Sequence, residues 1–570
     1  VVLLAFQGVL VFSSANAPFA PTPEHYLNAD GTVAALASSF GMNPLLEHWA
    51  QAIHPPTLFV GYAGLTVPFA YALAALISGD LSATWVRKSN RFAMISWLFL
   101  GIGIGLGSVW AYVVLGWGGY WGWDAVENAS LLSWLMALAL VHSMTIYRQR
   151  GGFKRWGVMC ACLTFAFVIT GTFITRSGIV QSVHAFEGDP VSLVLFGFLI
   201  CMSVAAGLVG IGLRWKALGA DDDFDSLLSK DAAYYFNNII AVVFTLLLCY
   251  MTVSSALPNW LPFGGSTLSA GSYNAIARPL GVGYCLIVAV CPLLGWVRTD
   301  KAEFFRLAKI PAICAAVMFS VLCVYFATTL YPAYMANISA GTAEAIELMN
   351  EGPVWYYNGL AVVGFLVASL LFFNTLFMIG RAVSKRTQAL KTNPVKAFFG
   401  AVVSHSSKYG GYIAHLGMAV ILVGLIGSSM YVTETTDYIA YEEGAAAADK
   451  EMVIDDYRLV YSSDSVNLTN GDTRVNYQVE LDVYDVNTGA YIGHVAPSVD
   501  MVMATQQTKM NASVINRPTE DLFVVYRGVS EDNQMCLDVR VNPLISFTWV
   551  GFALLMVGTA IAAFGTRKEA

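Results

Sequence analysis

Apolar runs recur along almost the whole of this 570-residue sequence, and at about 20 residues each is long enough to cross a bilayer as a helix. That repetition leaves few folds open. A segment inside hydrocarbon must satisfy its backbone groups without water, and a run of this length does so as a helix. Composition agrees, with 56% hydrophobic and only 12% charged residues, about half the charge of an ordinary soluble domain. A soluble enzyme is excluded. No face of clustered Lys and Arg marks a nucleic-acid footprint.

The runs predict an all-α polytopic membrane protein of about 11 complete spans, at 57–78, 92–115, 129–147, 157–174, 190–213, 237–256, 279–297, 310–331, 354–380, 411–432 and 544–565. Val1 to Phe12 is apolar but too short to span and has no basic region before it, so it is expected to be the end of a truncated N-terminal helix rather than a signal peptide. Segments 79–91, 148–156, 214–236, 298–309, 381–410 and 566–570 hold 22 Lys and Arg, whereas the intervening segments before residue 434 hold only Arg176 and Arg278. The positive-inside rule puts the basic set in the cytoplasm. Loops 13–56, 116–128 and 175–189 and the hydrophilic stretch 434–543 then face outward.

That stretch carries 19 acidic and 7 basic side chains, a net −12 against −7 for the whole chain, so the remainder is +5. Arg474–Asp485 and Leu522–Arg527 alternate apolar and polar residues, and Asn487-Thr488-Gly489 is a turn signal, so a β-rich domain is expected before the last helix. The domain plan is therefore 1–433 as a transmembrane part with a tryptophan-rich loop at 117–130, 434–543 as the outward β domain, and 544–570 as the last helix and cytoplasmic tail. Eight of the nine cysteines lie in apolar runs and only Cys536 lies in the hydrophilic domain, which suits small buried hydrophobes. No C-x-x-C-H occurs, so the chain does not attach haem to itself in the c-type manner.

Four of the eight histidines stand in telling places. His54 ends the first outward loop and His184 lies in the third. Between them is Trp117-Gly-Gly-Tyr-Trp-Gly-Trp-Asp-Ala-Val-Glu-Asn-Ala-Ser130. An aromatic belt at the membrane surface explains one or two tryptophans, but not three within seven residues interleaved with glycine. Trp117, Trp121 and Trp123, with Gly118 and Gly119, make a flat, approachable platform for a macrocycle. His54 and His184 can supply axial ligands to its iron. Asp124, Glu127 and Asn128 can orient the loop or its ligands, and Arg176 is a candidate contact to a haem propionate or to the loop. His142 and His415 lie inside apolar runs, 6 residues before Arg148 and 7 after Lys408, each roughly 10 Å from the cytoplasmic boundary. Ionisable groups at that depth are costly and usually functional. Their matched depth suits a bis-histidine b-type haem, with Gly411 and Ala419 leaving room on the helix face.

The loop 117–130 resembles the WWD motif of membrane haem-handling proteins. Asn43-Pro-Leu-Leu, Ile53-His-Pro-Pro, Gly171-Thr-Phe-Ile-Thr-Arg-Ser-Gly, Ser182-Val-His-Ala-Phe and Ala414-His-Leu-Gly extend the resemblance to the CcmF family, the haem lyases of System I cytochrome c maturation. The resemblance covers essentially the whole chain. It implies that His54 and His184 hold incoming haem over the loop, and that His142 and His415 ligate a resident haem b able to reduce its iron, with a quinone as a candidate reductant. It further implies haem delivery by the chaperone CcmE, apocytochrome c presented by CcmH- or CcmI-type proteins, thioether attachment to C-x-x-C-H, and a bacterial inner-membrane location with the loop and β domain in the periplasm. Tyr120 and Ala125 depart from the family's usual Trp and Pro, and family members carry further helices ahead of the equivalent of Val1. Alternatives are a paralogous lyase dedicated to a nitrite reductase, a haem transporter and a transmembrane di-haem electron carrier; the last leaves the loop, His54 and His184 without a role.

Overall fold

The computed structural model describes Gly8 and residues 21–34, 42–182, 188–219, 226–341, 343–441, 446–469, 473–503 and 505–565. Among them, eleven helices are long and apolar enough to cross a membrane, the number expected from the apolar runs. They are α1 (Trp49–Ser78), α2 (Thr84–Val114), α3 (Ala125–Arg150), α4 (Lys154–Ser177), α5 (Pro190–Leu213), α6 (Lys230–Thr252), α7 (Ala270–Val290), α8 (Lys301–Ala340), α10 (Val354–Leu390), α12 (Ser406–Met430) and α13 (Ile545–Phe564). Shorter helices α9 (Ala343–Asn350) and α11 (Pro394–Ser404) lie between them. Except for Gly8, the expected N-terminal partial helix lies outside the described residues.

Most spans begin earlier than hydropathy alone suggests, because capping side chains start the helix in polar sequence. Ser229, Asp300 and Asp124 each accept a backbone N–H of the first turn of α6, α8 and α3, satisfying donors that the helix itself cannot. α8 is the least regular, with a π turn at Phe326–Leu330.

The tightest helix pairing follows a glycine repeat. Gly410, Gly417 and Gly424 on α12 and Gly551 and Gly558 on α13 recur every seven residues. An added Cβ would lie 2.5 Å from Leu555 N at Gly417, 2.5 Å from Ile421 N at Gly551 and 2.3 Å from Ala414 N at Gly558. Backbone meets backbone along this seam, the close approach that small residues permit between membrane helices. The seam fixes the helix that carries His415. Gly558→Val should therefore cost at least about 3 kcal/mol, the upper range for overpacking, since the obstacle is backbone and cannot rotate away. A thermal shift of several degrees and lower yield in detergent would check it; an unchanged melting curve would refute the seam.

The hydrophilic stretch folds into two antiparallel sheets. One has the order β1 (Thr433–Ile439), β10 (Met535–Pro543), β9 (Glu520–Val529), β8 (Ser513–Asn516); the other has β2 (Glu451–Ile454), β3 (Tyr457–Thr469), β4 (Arg474–Asp485), β6 (Ser498–Val502), β7 (Thr508–Asn511), with β5 (Tyr491–Val495) also on β4. Val479, Leu481 and Val483 alternate inward as their spacing predicts, meeting Leu522, Val524, Leu537 and Val539. The turn at 487–489 forms as expected, with the Asp485 carboxylate accepting the Asn487 and Thr488 N–H groups and Gly489 at φ 67°.

Leu522–Arg527 departs from simple alternation. Leu522 to Tyr526 are all buried. Leu522, Val524 and Tyr526 face the β core, whereas Phe523 and Val525 pack on Tyr112 of α2 and on Ile545 and Trp549 of α13. β9 is covered on both faces because the helix ends form a second core beneath it.

Candidate functional site

Three glycines in and beside the tryptophan loop make room for side chains. An added Cβ at Gly118 would sit 2.1 Å from Arg540 Cδ, at Gly122 2.7 Å from the Trp117 ring, and at Gly116 3.1 Å from Met510 Sδ. Gly119, by contrast, faces open space. Gly118, expected to open the loop to a flat ligand, instead makes room for an arginine of β10. Gly116 and Gly118 also sit at φ 65° and 70°, a left-handed conformation that favours glycine.

The second half of the loop is built by its own polar residues. Asp124 caps α3, accepting the Val126 N–H at 3.0 Å in a capping box with Glu127. Glu127 accepts the Gly122 and Asp124 N–H groups at 3.0 and 3.1 Å. Asn128, fully buried, donates to the Trp123 carbonyl at 3.0 Å. These bonds hold Trp123 at φ 56°, a conformation costly for a bulky residue unless its surroundings fix it. Trp123 also stacks on Tyr273 at 5.3 Å and donates from Nε1 to Asn274 at 3.0 Å. Asn274 donates to Glu351, which Arg278 pairs with. Trp121 meets Trp123 edge-on at 6.0 Å. Tyr120 donates to or accepts from Ser428 at 2.9 Å and packs on Trp549.

Ser182 donates to Asp124 at 2.5 Å, so the segment after α4 is tied to the start of α3. His184 follows two residues later and lies outside the described residues. Arg176 is exposed in the last turn of α4, its carbonyl accepting the Asp189 N–H at 3.0 Å.

His54 is in α1 rather than in a loop. The apolar run was expected to begin at 57, yet the helix starts at Trp49, with His48 capping it. The His54 ring lies in a cleft of α2, where a Cβ at Gly107 would meet it at 2.6 Å. Its Nδ1 is 2.6 Å from the Gly103 carbonyl. A carbonyl only accepts, so Nδ1 carries the proton and Nε2 the lone pair, the arrangement common in metal-ligating histidines.

In the opposite half, His142 on α3 lies close enough to His415 on α12 for its charge to act on that ring. His142 Nδ1 donates to the Leu138 carbonyl one turn back, at 3.0 Å, again leaving the lone pair on Nε2. His415 Nδ1 is buried with no hydrogen-bond partner, an expensive state for a polar group unless something else binds there. One turn away, a Cβ at Gly411 would have nothing within 4 Å. The other side differs from expectation, because Ala419 is buried in a core with Leu422, Val423 and Phe365. Tyr234 stands edge-on to His142 at 5.5 Å. A half-buried imidazole pair with one orphaned, buried nitrogen beside open space fits bis-histidine haem.

A cavity of about 790 Å³ lies at the β-domain end, lined by Met251, Ile276, Leu348, Glu351, Tyr357 and Met430 among others. Its volume suits a cofactor-sized ligand. Only the first turns of α7 separate it from Trp123, which contacts Tyr273 and Asn274 there.

The cytochrome C assembly protein family model matches residues 2–180, which contain the tryptophan loop. CcmF of Haemophilus influenzae is 28% identical over 531 residues, covering 92% of this chain and 74% of its own length. CcmF of Escherichia coli is 27% identical, covering 92% and 73%. A solved cytochrome c haem lyase CcmF superposes with a TM-score of 0.65 at 22% identity, over 91% of this chain and 73% of that one.

The chain is similar to CcmF proteins over some nine-tenths of its length.

NrfE of Haemophilus influenzae, another cytochrome c-type biogenesis protein, is 28% identical over 551 residues, covering 95% of this chain and 77% of its own length. The glycine seam and the grip of Arg540 on the loop had no place in the motif-based expectation. The seven-residue glycine spacing was visible in the sequence; the contacts of Arg540 were not, because 423 residues separate it from Trp117.

Proposed function

We propose that this protein is a cytochrome c haem lyase of the bacterial inner membrane, with the tryptophan loop and β domain in the periplasm. It takes haem from CcmE and directs it onto the C-x-x-C-H cysteines of an apocytochrome c presented by CcmH- or CcmI-type partners. The observation that carries this is the tryptophan loop. The backbone that carries Trp123 is held by the Asp124–Glu127–Asn128 network, and Asp124 is bonded to the segment leading to His184.

His54 presents its Nε2 lone pair with Nδ1 anchored on Gly103, and His184 is the proposed opposite ligand. Trp117, Trp121 and Trp123 supply ring faces, and Arg176 is the proposed partner of a propionate. The cavity behind α7 gives space for the incoming macrocycle. Thioether formation adds a cysteine S–H across a vinyl double bond: sulfur bonds to one carbon and the proton goes to the other. The thiols come from the substrate peptide, so the chain's task is to orient ring and peptide and to limit water.

His142 and His415 would hold haem b, which when bound supplies one electron to the iron of the delivered haem. Quinol is the proposed source of that electron. A lyase dedicated to a single cytochrome, such as a nitrite reductase, is the second reading, favoured by the similarity to NrfE.

The test is transfer of haem from CcmE to a C-x-x-C-H peptide by the purified chain. His54→Ala should lower transfer at least about tenfold, as loss of a metal ligand or its partner does, while resident haem absorption stays. Transfer equal to wild type would refute the ligand role. Haem bound without any transfer would favour a carrier.

A further inference from the structure

Two arginines of the β domain reach the backbone of the tryptophan loop. Arg540 on β10 donates to the Trp117 carbonyl, and Arg527 on β9 donates to the Gly116 carbonyl at 3.0 Å. Both are anchored on one carboxylate. Asp538, whose side chain is only 3% exposed, pairs with Arg527 at 2.5 Å and with Arg540 at 3.3 Å. Arg540 also pairs with Glu434 on β1. Asn542 donates to the Gly118 carbonyl at 3.4 Å and to Tyr112 at 3.2 Å. Three consecutive loop carbonyls are thus gripped by neighbouring strands, and the two arginines among the gripping side chains are locked by a shared acid.

A sheet does not need this. The β core is closed by Leu522, Val524, Leu537 and Val539, on the other face of the same strands. Charge-assisted bonds to backbone carbonyls fix direction as well as distance, and a guanidinium can bond several acceptors at once in one plane. Gly118 lacks the side chain that would occupy the Arg540 position. Loop and clamp therefore fit one another at the level of single atoms.

We propose that the β domain is the positioning device of the tryptophan loop, with Arg540 and Arg527, fixed by Asp538, setting the attitude in which the loop receives haem. These are positioning residues: they act through the Gly116–Gly118 backbone. The inference rests on the reading of the loop as a haem platform, and it assigns the β domain a part in the site itself.

The experiment uses the full chain in detergent, as wild type, Arg540→Lys, Arg540→Ala and Gly118→Ala. Gly118→Ala displaces the guanidinium without removing a charge. Amide hydrogen exchange is followed over 116–124, over β9 and β10, and over α3, and hemin is titrated in by difference absorption. Loss of the clamp should raise loop exchange by about tenfold, the worth of a lost hydrogen bond to a charged group. Protection of β9, β10 and α3 should stay, and hemin affinity should fall by a similar factor. Lysine, with one compact donor centre, should restore little.

Unchanged loop exchange in Arg540→Ala and Gly118→Ala would overturn the proposal. So would loss of protection throughout β9 and β10 in both variants, which would make Arg540 a strut of the sheet. A loosened loop with unchanged hemin affinity would keep the clamp and instead defeat the reading of the loop as haem platform.

Discussion

Replacing His142 or His415 by alanine should remove the spectrum of the proposed haem b. Pyridine haemochrome analysis of the purified variants is expected to fall from stoichiometric to below about a tenth, since an axial imidazole and its fixed orientation dominate haem retention. The two positions should not be equivalent. His142 is aimed by its own helix through the Leu138 carbonyl, whereas His415 has no such bond at Nδ1. Exogenous imidazole should therefore restore absorption more fully in His415→Gly, where the open space at Gly411 adjoins the lost ring. Full haem content in the double variant would sink the assignment.

Asp124 carries the second large effect. Asp124→Ala removes the cap of α3, one half of its capping box and the acceptor for Ser182 together. Cap loss alone costs about 1–2 kcal/mol, and it falls on the residues that hold Trp123 in its unfavourable backbone conformation. Haem attachment to a C-x-x-C-H peptide should fall at least about a hundredfold, the upper range for losing a group that orients a metal ligand. Asp124→Asn is the discriminating variant. Asparagine caps helices as well as aspartate and can still accept from Ser182, so it should retain most activity. Equal loss in both variants would mean that the carboxylate charge acts directly on haem or peptide, and would defeat the structural role.

Much of this protein can be read without coordinates. A membrane helix satisfies its backbone within one continuous segment, so eleven apolar runs were enough to give eleven spans. Their ends were less legible, because a cap such as Ser229 or Asp300 lengthens a helix into polar sequence that hydropathy scores as loop. His54 shows the same limit: the apolar run begins at 57, yet α1 starts at Trp49 and runs through Pro55 and Pro56. The β domain followed from period-two alternation, except at β9, whose second buried face depends on what lies beneath it.

The candidate site divides in the same way. His142 and His415 stood out by themselves, since an ionisable residue in an apolar run is conspicuous at the level of local sequence. Their neighbours on the two helix faces were not, and Ala419 proved to be core while Gly411 faces open space. The sequence determined the spans, the β character of 434–543 and the residue types able to meet haem, because each depends on a few adjacent residues. Tertiary structure alone decided why Gly118 is glycine, what Asp538 anchors and which carbonyls Arg527 and Arg540 hold. Those bonds join residues some four hundred positions apart, and no local pattern records a distance that only folding brings to about 3 Å.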